Sequence, residues 1–194
     1  MRVGILALQG DWAAHRVALA RSGFTVVEVR TTADLTALDG LVLPGGESTT
    51  MLTLMAGNGL AVKLRELAGS GCPVLATCAG VILLAREVRH PSQPSLGVLD
   101  VAVERNAYGR QIDSTVTELV VELPEELGVA TIEGVFIRAP KVIEAGPEVR
   151  VIARRGADPV LLRQGNLLAA TFHPELSEGS PVIGLFTRLV GGGR

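Results

Sequence analysis

The stretch Val74-Leu75-Ala76-Thr77-Cys78-Ala79-Gly80 constrains the fold most, because an apolar strand there runs into an apolar helix through one residue, Cys78. A chain that turns so sharply passes close to itself. It needs small side chains two positions before and after the turn residue, and Ala76 and Gly80 supply them. Such an elbow holds its central residue in an unfavourable backbone conformation and lifts the side chain off the carboxyl edge of a sheet. The helix start favours a thiolate at Cys78, and the Ala79 N–H points where an oxyanion would form. Outside such an elbow, a cysteine reads more readily as a buried structural thiol.

The rest of the chain supports an α/β reading. Val3–Leu8, Phe24–Val29, Leu41–Leu43 and Val74–Thr77 are short apolar runs of strand length. Helical stretches at Trp12–Ser22, Leu60–Ala68 and Ala79–Val88 alternate with them, and Ser48 or Thr49 caps a further helix to Met55. This βαβα order predicts parallel strands joined by right-handed crossovers. From Val98 to Thr171 the pattern changes to short strands and turns. Val98–Val103, Thr115–Glu122, Val135–Ile137 and Val149–Ala153 are strand candidates. Val160–Arg163 and Leu167–Ala170 flank a hairpin turn at Gln164-Gly165-Asn166. These later strands predict a small antiparallel extension plus the closing strands of the sheet, and Pro181–Leu189 a final helix. Aromatic residues are only 3% of the 194, so Val, Leu, Ile and Ala must fill the core, a palette suited to strands covered on both faces. The length suits one domain over residues 1–194.

Charge narrows the partners. Eighteen basic against twenty acidic residues give a net charge of −2 without a basic run, which argues against nucleic acid or an anionic membrane as partner. No stretch approaches the roughly 18–20 apolar residues of a membrane span. Two cysteines make neither a disulfide framework nor a metal knuckle, and three scattered histidines give no metal spacing. The expectation is a cytoplasmic protein without metal or cofactor, whose thiol stays reduced.

Two further motifs end predicted strands. In His173-Pro174-Glu175, an extended segment would place residues two apart on one side, so the Glu175 carboxylate would reach the His173 ring and orient it as a base. The other reading is a loop histidine beside a solvated glutamate. Pro44-Gly45-Gly46-Glu47-Ser48-Thr49 ends the third strand, where open α/β sheets bind ligands and glycine lets backbone N–H groups approach a substrate. It is also readable as an ordinary strand–helix turn, and it lacks the lysine of a nucleotide-binding loop. Cys72 reads as structural, His15 as a surface or helix-packing residue, and His90 as solvated. Arg86, Glu87 and Arg89 read as the exposed end of a helix, and residues 90–95 as a surface loop.

Together, Ala76-Thr77-Cys78-Ala79-Gly80 and His173-Pro174-Glu175 resemble the class I glutamine amidotransferases. Leu6-Ala7-Leu8-Gln9-Gly10-Asp11, Pro44–Thr49, Glu104-Arg105-Asn106-Ala107-Tyr108-Gly109-Arg110-Gln111 and Phe136-Ile137-Arg138-Ala139-Pro140 narrow the resemblance to the glutaminase subunits of pyridoxal phosphate synthases. The resemblance implies a flavodoxin-like fold with a mostly parallel central sheet. It implies a Cys78-His173-Glu175 triad, an oxyanion hole of Gly46 and Ala79, and a glutamine site of Gly46, Glu47, Ser48, Arg105, Ile137 and Arg138. It further implies L-glutamine as substrate and a hetero-oligomer with a barrel-shaped synthase subunit that consumes the ammonia. Ala76 departs from the family pattern, which usually has glycine there. The alternatives are a glutaminase serving another synthase and a redox or chaperone protein built on the same cysteine elbow. The arginine segments weigh against the first, and the His-Pro-Glu motif against the second.

Overall fold

The structure, a computed structural model, describes residues 1–105, 107 and 114–192. Asn106 and Tyr108-Gly109-Arg110-Gln111 of the arginine-bearing segment therefore lie outside the described residues. The first half runs β1 (Arg2–Leu6), α1 (Trp12–Arg21), β2 (Thr25–Val29), β3 (Gly40–Leu43), α2 (Ser48–Met55), α3 (Leu60–Gly69), β4 (Val74–Thr77) and α4 (Ala79–Leu84). The second half runs β5 (Ala85–Arg89), β6 (Leu99–Glu104), β7 (Thr115–Val121), α5 (Pro124–Leu127), β8 (Thr131–Phe136), β9 (Lys141–Ala145), β10 (Arg150–Arg155), β11 (Asp158–Gln164), β12 (Leu167–Ala170) and α6 (Pro181–Gly192).

Among the described residues, nine strands form one mixed sheet in the order β2-β1-β3-β4-β12-β11-β10-β7-β8. The pairings from β2 through β12 are parallel. Those from β12 through β8 are antiparallel. Later strands join the main sheet as expected, but the expectation of a mostly parallel sheet with a small extension is corrected, because antiparallel pairings make up half of that sheet. The hairpin at Gly165 explains the change of direction. Its turn sends the chain from β11 straight into β12, which then lies parallel to β4. A separate three-stranded sheet joins β5, β6 and β9, the last of which has no counterpart among the sequence-based strands.

Alternation along the parallel strands decides which helices cover which face. Leu41, Leu43, Val74 and Ala76 point into one core with Met51, Met55, Leu60 and Leu64 of α2 and α3. Val42 and Leu75 point into the other, with Leu19 of α1 and Val182, Ile183 and Phe186 of α6. Both faces of the parallel half are thus covered, which fixes β4 rigidly beneath its carboxyl end.

The apolar run after Cys78 corrects a second expectation, a helix reaching Val88. The helix ends at Leu84, with every residue from Ala79 to Leu84 buried. At Ala85 the backbone becomes extended, and Arg86 and Glu87 reach the surface. Arg86 pairs there with Asp100 and Glu144, and Arg89 with Glu87 and Glu144. A parallel partner strand, β6, stabilises the extended form, and such a long-range pairing leaves no local signal. Among the described residues no helix is long and apolar enough to cross a membrane.

Candidate active site

Cys78 sits between β4 and α4 with φ 46° and ψ −106°, a conformation that costs a non-glycine residue on the order of 1–3 kcal/mol. Neighbouring contacts hold it there. Its N–H donates to the Ala170 carbonyl at 2.9 Å, and its carbonyl accepts from the Val81 N–H at 3.1 Å. A Cβ at Gly80 would run into the Leu43 carbonyl, so this position admits only glycine without a shift of β3. Ala76 lies within β4, fully buried, its methyl packed in the core rather than in the turn. The Cys78 N–H is committed to β12, which leaves the Ala79 N–H as the elbow donor available to a substrate oxygen.

His173 follows β12 and is anchored by its N–H, which donates to the Val135 carbonyl of β8 at 2.9 Å. Its Nδ1 lies 2.7 Å from Glu175 Oε1, in a pair whose side chains are almost wholly buried. The route to this contact differs from the expected extended segment. Pro174–Leu176 is a 3-10 turn with Pro174 at its first position, where a fixed φ suits a helical start. The turn, not the alternation of a strand, brings Glu175 back to the ring. Burial, the largest influence on His173, pulls its pKa down, but hydrogen bonds and charge from Cys78 and Glu175 outweigh it and hold it raised, to about 10. Burial likewise works to raise Glu175, and is outweighed by His15 and then His173, which leave it lowered to about 2. The pair is therefore arranged for an anionic carboxylate against a protonated imidazole, with the Cys78 sulfur next in the row. Cys72, by contrast, is pushed up to about 11 by burial and by Asp39, and stays a thiol at neutral pH.

The glycine loop completes the cleft. A Cβ on Gly45 would come within 2.5 Å of His173 Cε1, so the loop can approach the dyad only as glycine. Gly46 has φ 146°, and a Cβ there would meet Gln9 Oε1 and Gly10 Cα. The loop is tied to the β1–α1 connection: the Glu47 N–H donates to Gln9 Oε1 at 2.7 Å and the Asp11 N–H to the Gly45 carbonyl at 3.1 Å. Glu47, rather than Ser48 or Thr49, caps α2, accepting from the Thr49 N–H at 3.4 Å. It also pairs with Arg105 at 3.0 Å. Burial raises the Glu47 pKa, but the Thr49 hydrogen bonds and the charges of Arg105 and Arg138 overcome it and leave it lowered.

A cleft of about 200 Å³ is lined by Asp11, Gly46, Glu47, Cys78, Ala79, Ile82, Arg105, Ile137, Arg138 and His173. The structure thus gathers Cys78, His173, Gly46, Ala79, Glu47, Arg105, Ile137 and Arg138 at one opening, with Glu175 behind His173. The Ile137 carbonyl faces Cys78 Sγ at 3.8 Å, and Arg138 takes a left-handed φ of 48°. Ser48 does not line the cleft; it is buried, its hydroxyl donating to Gln93 Oε1 at 3.1 Å. A larger hollow of about 560 Å³ lies behind Glu175, between α1 and α6, and holds neither the thiol nor the glycine loop. Asp11, His173 and Glu175 each place a potential ligand atom within 4.8 Å of the others.

Sequence reasoning missed three contributors. Asp11 enters the cleft, Gln93 of the 90–95 loop holds Ser48, and His15 is fully buried against Glu175. For His15 a signal existed: it lies four residues before the buried Leu19, on the inward stripe of α1.

The sequence matches the family described as SNO glutamine amidotransferase over residues 5–190. The protein named pyridoxal 5'-phosphate synthase subunit PdxT from Thermotoga petrophila is 48% identical over 178 residues, spanning 92% of this chain and 93% of that one. Its namesake from Koribacter versatilis is 48% identical over 193 residues, spanning 100% of this chain and 97% of its own. A crystal structure of a glutamine amidotransferase superposes with a TM-score of 0.89 at 46% identity, covering 97% of this chain and 98% of that one. The mixed sheet with its small companion is the α/β arrangement of class I glutamine amidotransferases. On a match that runs almost from end to end, the chain belongs to the SNO glutamine amidotransferase family.

Proposed function

We propose that the chain hydrolyses L-glutamine to L-glutamate and ammonia, as the glutaminase subunit of a pyridoxal 5'-phosphate synthase in vitamin B6 biosynthesis. The observation that carries this reading is the buried Cys78–His173–Glu175 row opening onto a glycine loop and two arginines. Residues 1–194 act as one cytoplasmic amidotransferase domain, whose parallel half is flavodoxin-like. The partner is a barrel-shaped synthase subunit, in a hetero-oligomer.

The Cys78 thiolate attacks the side-chain amide carbon, and the carbonyl π pair moves onto oxygen, held by the Ala79 and Gly46 N–H groups. His173 donates its proton to the departing nitrogen, and ammonia leaves as the glutamyl thioester forms. The neutral imidazole then takes a proton from water, hydroxide adds to the thioester, and glutamate departs with the thiolate restored. Glu175 keeps the ring oriented throughout. Glutamine carries one ammonium and one carboxylate at its far end. Glu47 suits the first and Arg105 and Arg138 the second, with Ser48 and Ile137 shaping the loops that present them. The Glu47–Arg105 pair at 3.0 Å holds both charges in place until substrate exchanges for them.

Ammonia released into water would be protonated and lost, so hydrolysis should wait for the partner. The Gly45–Gly46 peptide is suited to that control, because two glycines can rotate it at little steric cost. Rotation would break the Asp11 N–H bond to the Gly45 carbonyl, which links the oxyanion loop to the β1–α1 connection. One oxyanion donor is worth about a hundred- to a thousandfold in rate. Glutamate release, measured for the chain alone and after titration with the barrel subunit, should rise by a factor of that order. Equal rates would refute the control while leaving the triad assignment standing.

A further inference from the structure

His15 is fully buried on α1, at the closed end of the site, and the mechanism above does not use it. Its Nε2 lies 2.9 Å from Thr77 Oγ1 and 3.3 Å from Glu175 Oε2. Thr77 is the last residue of β4 and directly precedes Cys78. Glu175 Oε1 is occupied by His173 at 2.7 Å. Oε2 has no hydrogen-bond partner among the described residues, and His15 Nε2, 3.3 Å away, is the polar group it faces. The contacts form a closed circuit: Cys78 to His173, His173 to Glu175, Glu175 to His15, His15 to Thr77, and Thr77 back to Cys78 through one peptide bond.

We infer that His15 is a fourth, positioning residue of the triad, fixing the Glu175 carboxylate so that its other oxygen meets His173 Nδ1. A carboxylate held at only one oxygen can swing about its terminal torsion, which is broad and soft. A donor on the second oxygen removes that freedom. His15 Nε2 faces both Thr77 Oγ1 and Glu175 Oε2, and its 2.9 Å contact with the Thr77 hydroxyl fixes the plane of the ring. His15 Nδ1 has no hydrogen-bond partner among the described residues. The tautomer that leaves Nδ1 bare and puts the hydrogen on Nε2 therefore avoids burying an unpaired N–H. The same helix follows Gln9 and Asp11, which hold the glycine loop. One rigid element thereby positions both the carboxylate end and the oxyanion side of the site.

This inference rests on the proposed glutaminase reading, and its test separates the two. Steady-state glutamate release is measured for wild type, His15→Leu and His15→Gln with the barrel subunit saturating, beside the proton resonance of the His173 Nδ1–H. Glutamine can put an amide N–H where Nε2 stood; leucine cannot. A hydrogen bond to a charged group is worth about ten- to a hundredfold, so kcat should fall by that factor in His15→Leu with KM nearly unchanged. His15→Gln should recover most of the loss. The His173 resonance should shift in His15→Leu and return in His15→Gln. If His15→Leu does not fold, His15→Asn, whose shorter amide cannot reach Glu175, replaces it. An unchanged kcat, or equal losses in the Leu and Gln variants, overturns the positioning role. So does an unmoved His173 resonance, even if wild type proves unable to turn over glutamine, a result that would sink the glutaminase reading instead.

Discussion

Replacing Cys78 with alanine should reduce glutamine hydrolysis to background while the protein stays folded. Removing the nucleophile of a triad hydrolase costs about a million-fold in kcat, because the remaining groups have no covalent intermediate to stabilise. The fold should tolerate the change. Among the described contacts, the thiol makes only a 3.8 Å approach to the Ile137 carbonyl besides its link to His173. The strained φ of 46° is imposed by Gly80, Ala170 and Val81 rather than by the sulfur, and alanine can occupy it at the same cost. Thermal unfolding should shift by a few degrees at most. Cys72→Ala is the companion control. It sits before β4, half-buried and held as a thiol, and its loss should leave turnover near wild type. Activity retained in Cys78→Ala would place the nucleophile elsewhere.

The second large effect is expected at His173. Asparagine there keeps a polar side chain but can neither deliver a proton to ammonia nor take one from water, so both halves of the reaction fail together. The loss should approach that of Cys78→Ala, since nucleophile and base act as a unit. Glu175→Gln should cost less, because it orients the base without touching substrate; in a comparable triad the carboxylate alone is worth about 3 × 10⁴ against about 2 × 10⁶ for the base. Initial rates of glutamate release for the three variants, with circular dichroism confirming the fold, should therefore rank Cys78 and His173 together and Glu175 above them. A fully active His173→Asn would remove the imidazole from the mechanism.

How much of this was legible in the sequence depends on the range of each interaction. The elbow was legible because its demands are local: Gly80 must clear the Leu43 carbonyl, and a glycine two residues after a cysteine is visible in any alphabet. The His173–Glu175 pair was legible too, although a 3-10 turn rather than an extended strand joins it. What escaped was set by distant partners. Leu84 to Ala85 changes from helix to strand because β6 lies ready to pair, 14 residues further on. The order of the antiparallel half depends on which strand the chain meets on returning, and composition carries no record of that. His15 escaped for the same reason. Its spacing from Leu19 marks it as inward-facing, but its meaning lies in the distant Thr77 and Glu175.

The central claim is that glutamine is opened by Cys78 through a glutamyl thioester, and one measurement reaches it directly. Wild-type chain with its barrel subunit is acid-quenched during glutamine turnover, digested, and read by mass spectrometry. The account predicts a glutamyl adduct on the peptide carrying Cys78, absent without glutamine and absent in Cys78→Ala. Sustained glutamate release with the adduct on Cys72, or glutamate release undiminished in Cys78→Ala, would contradict it.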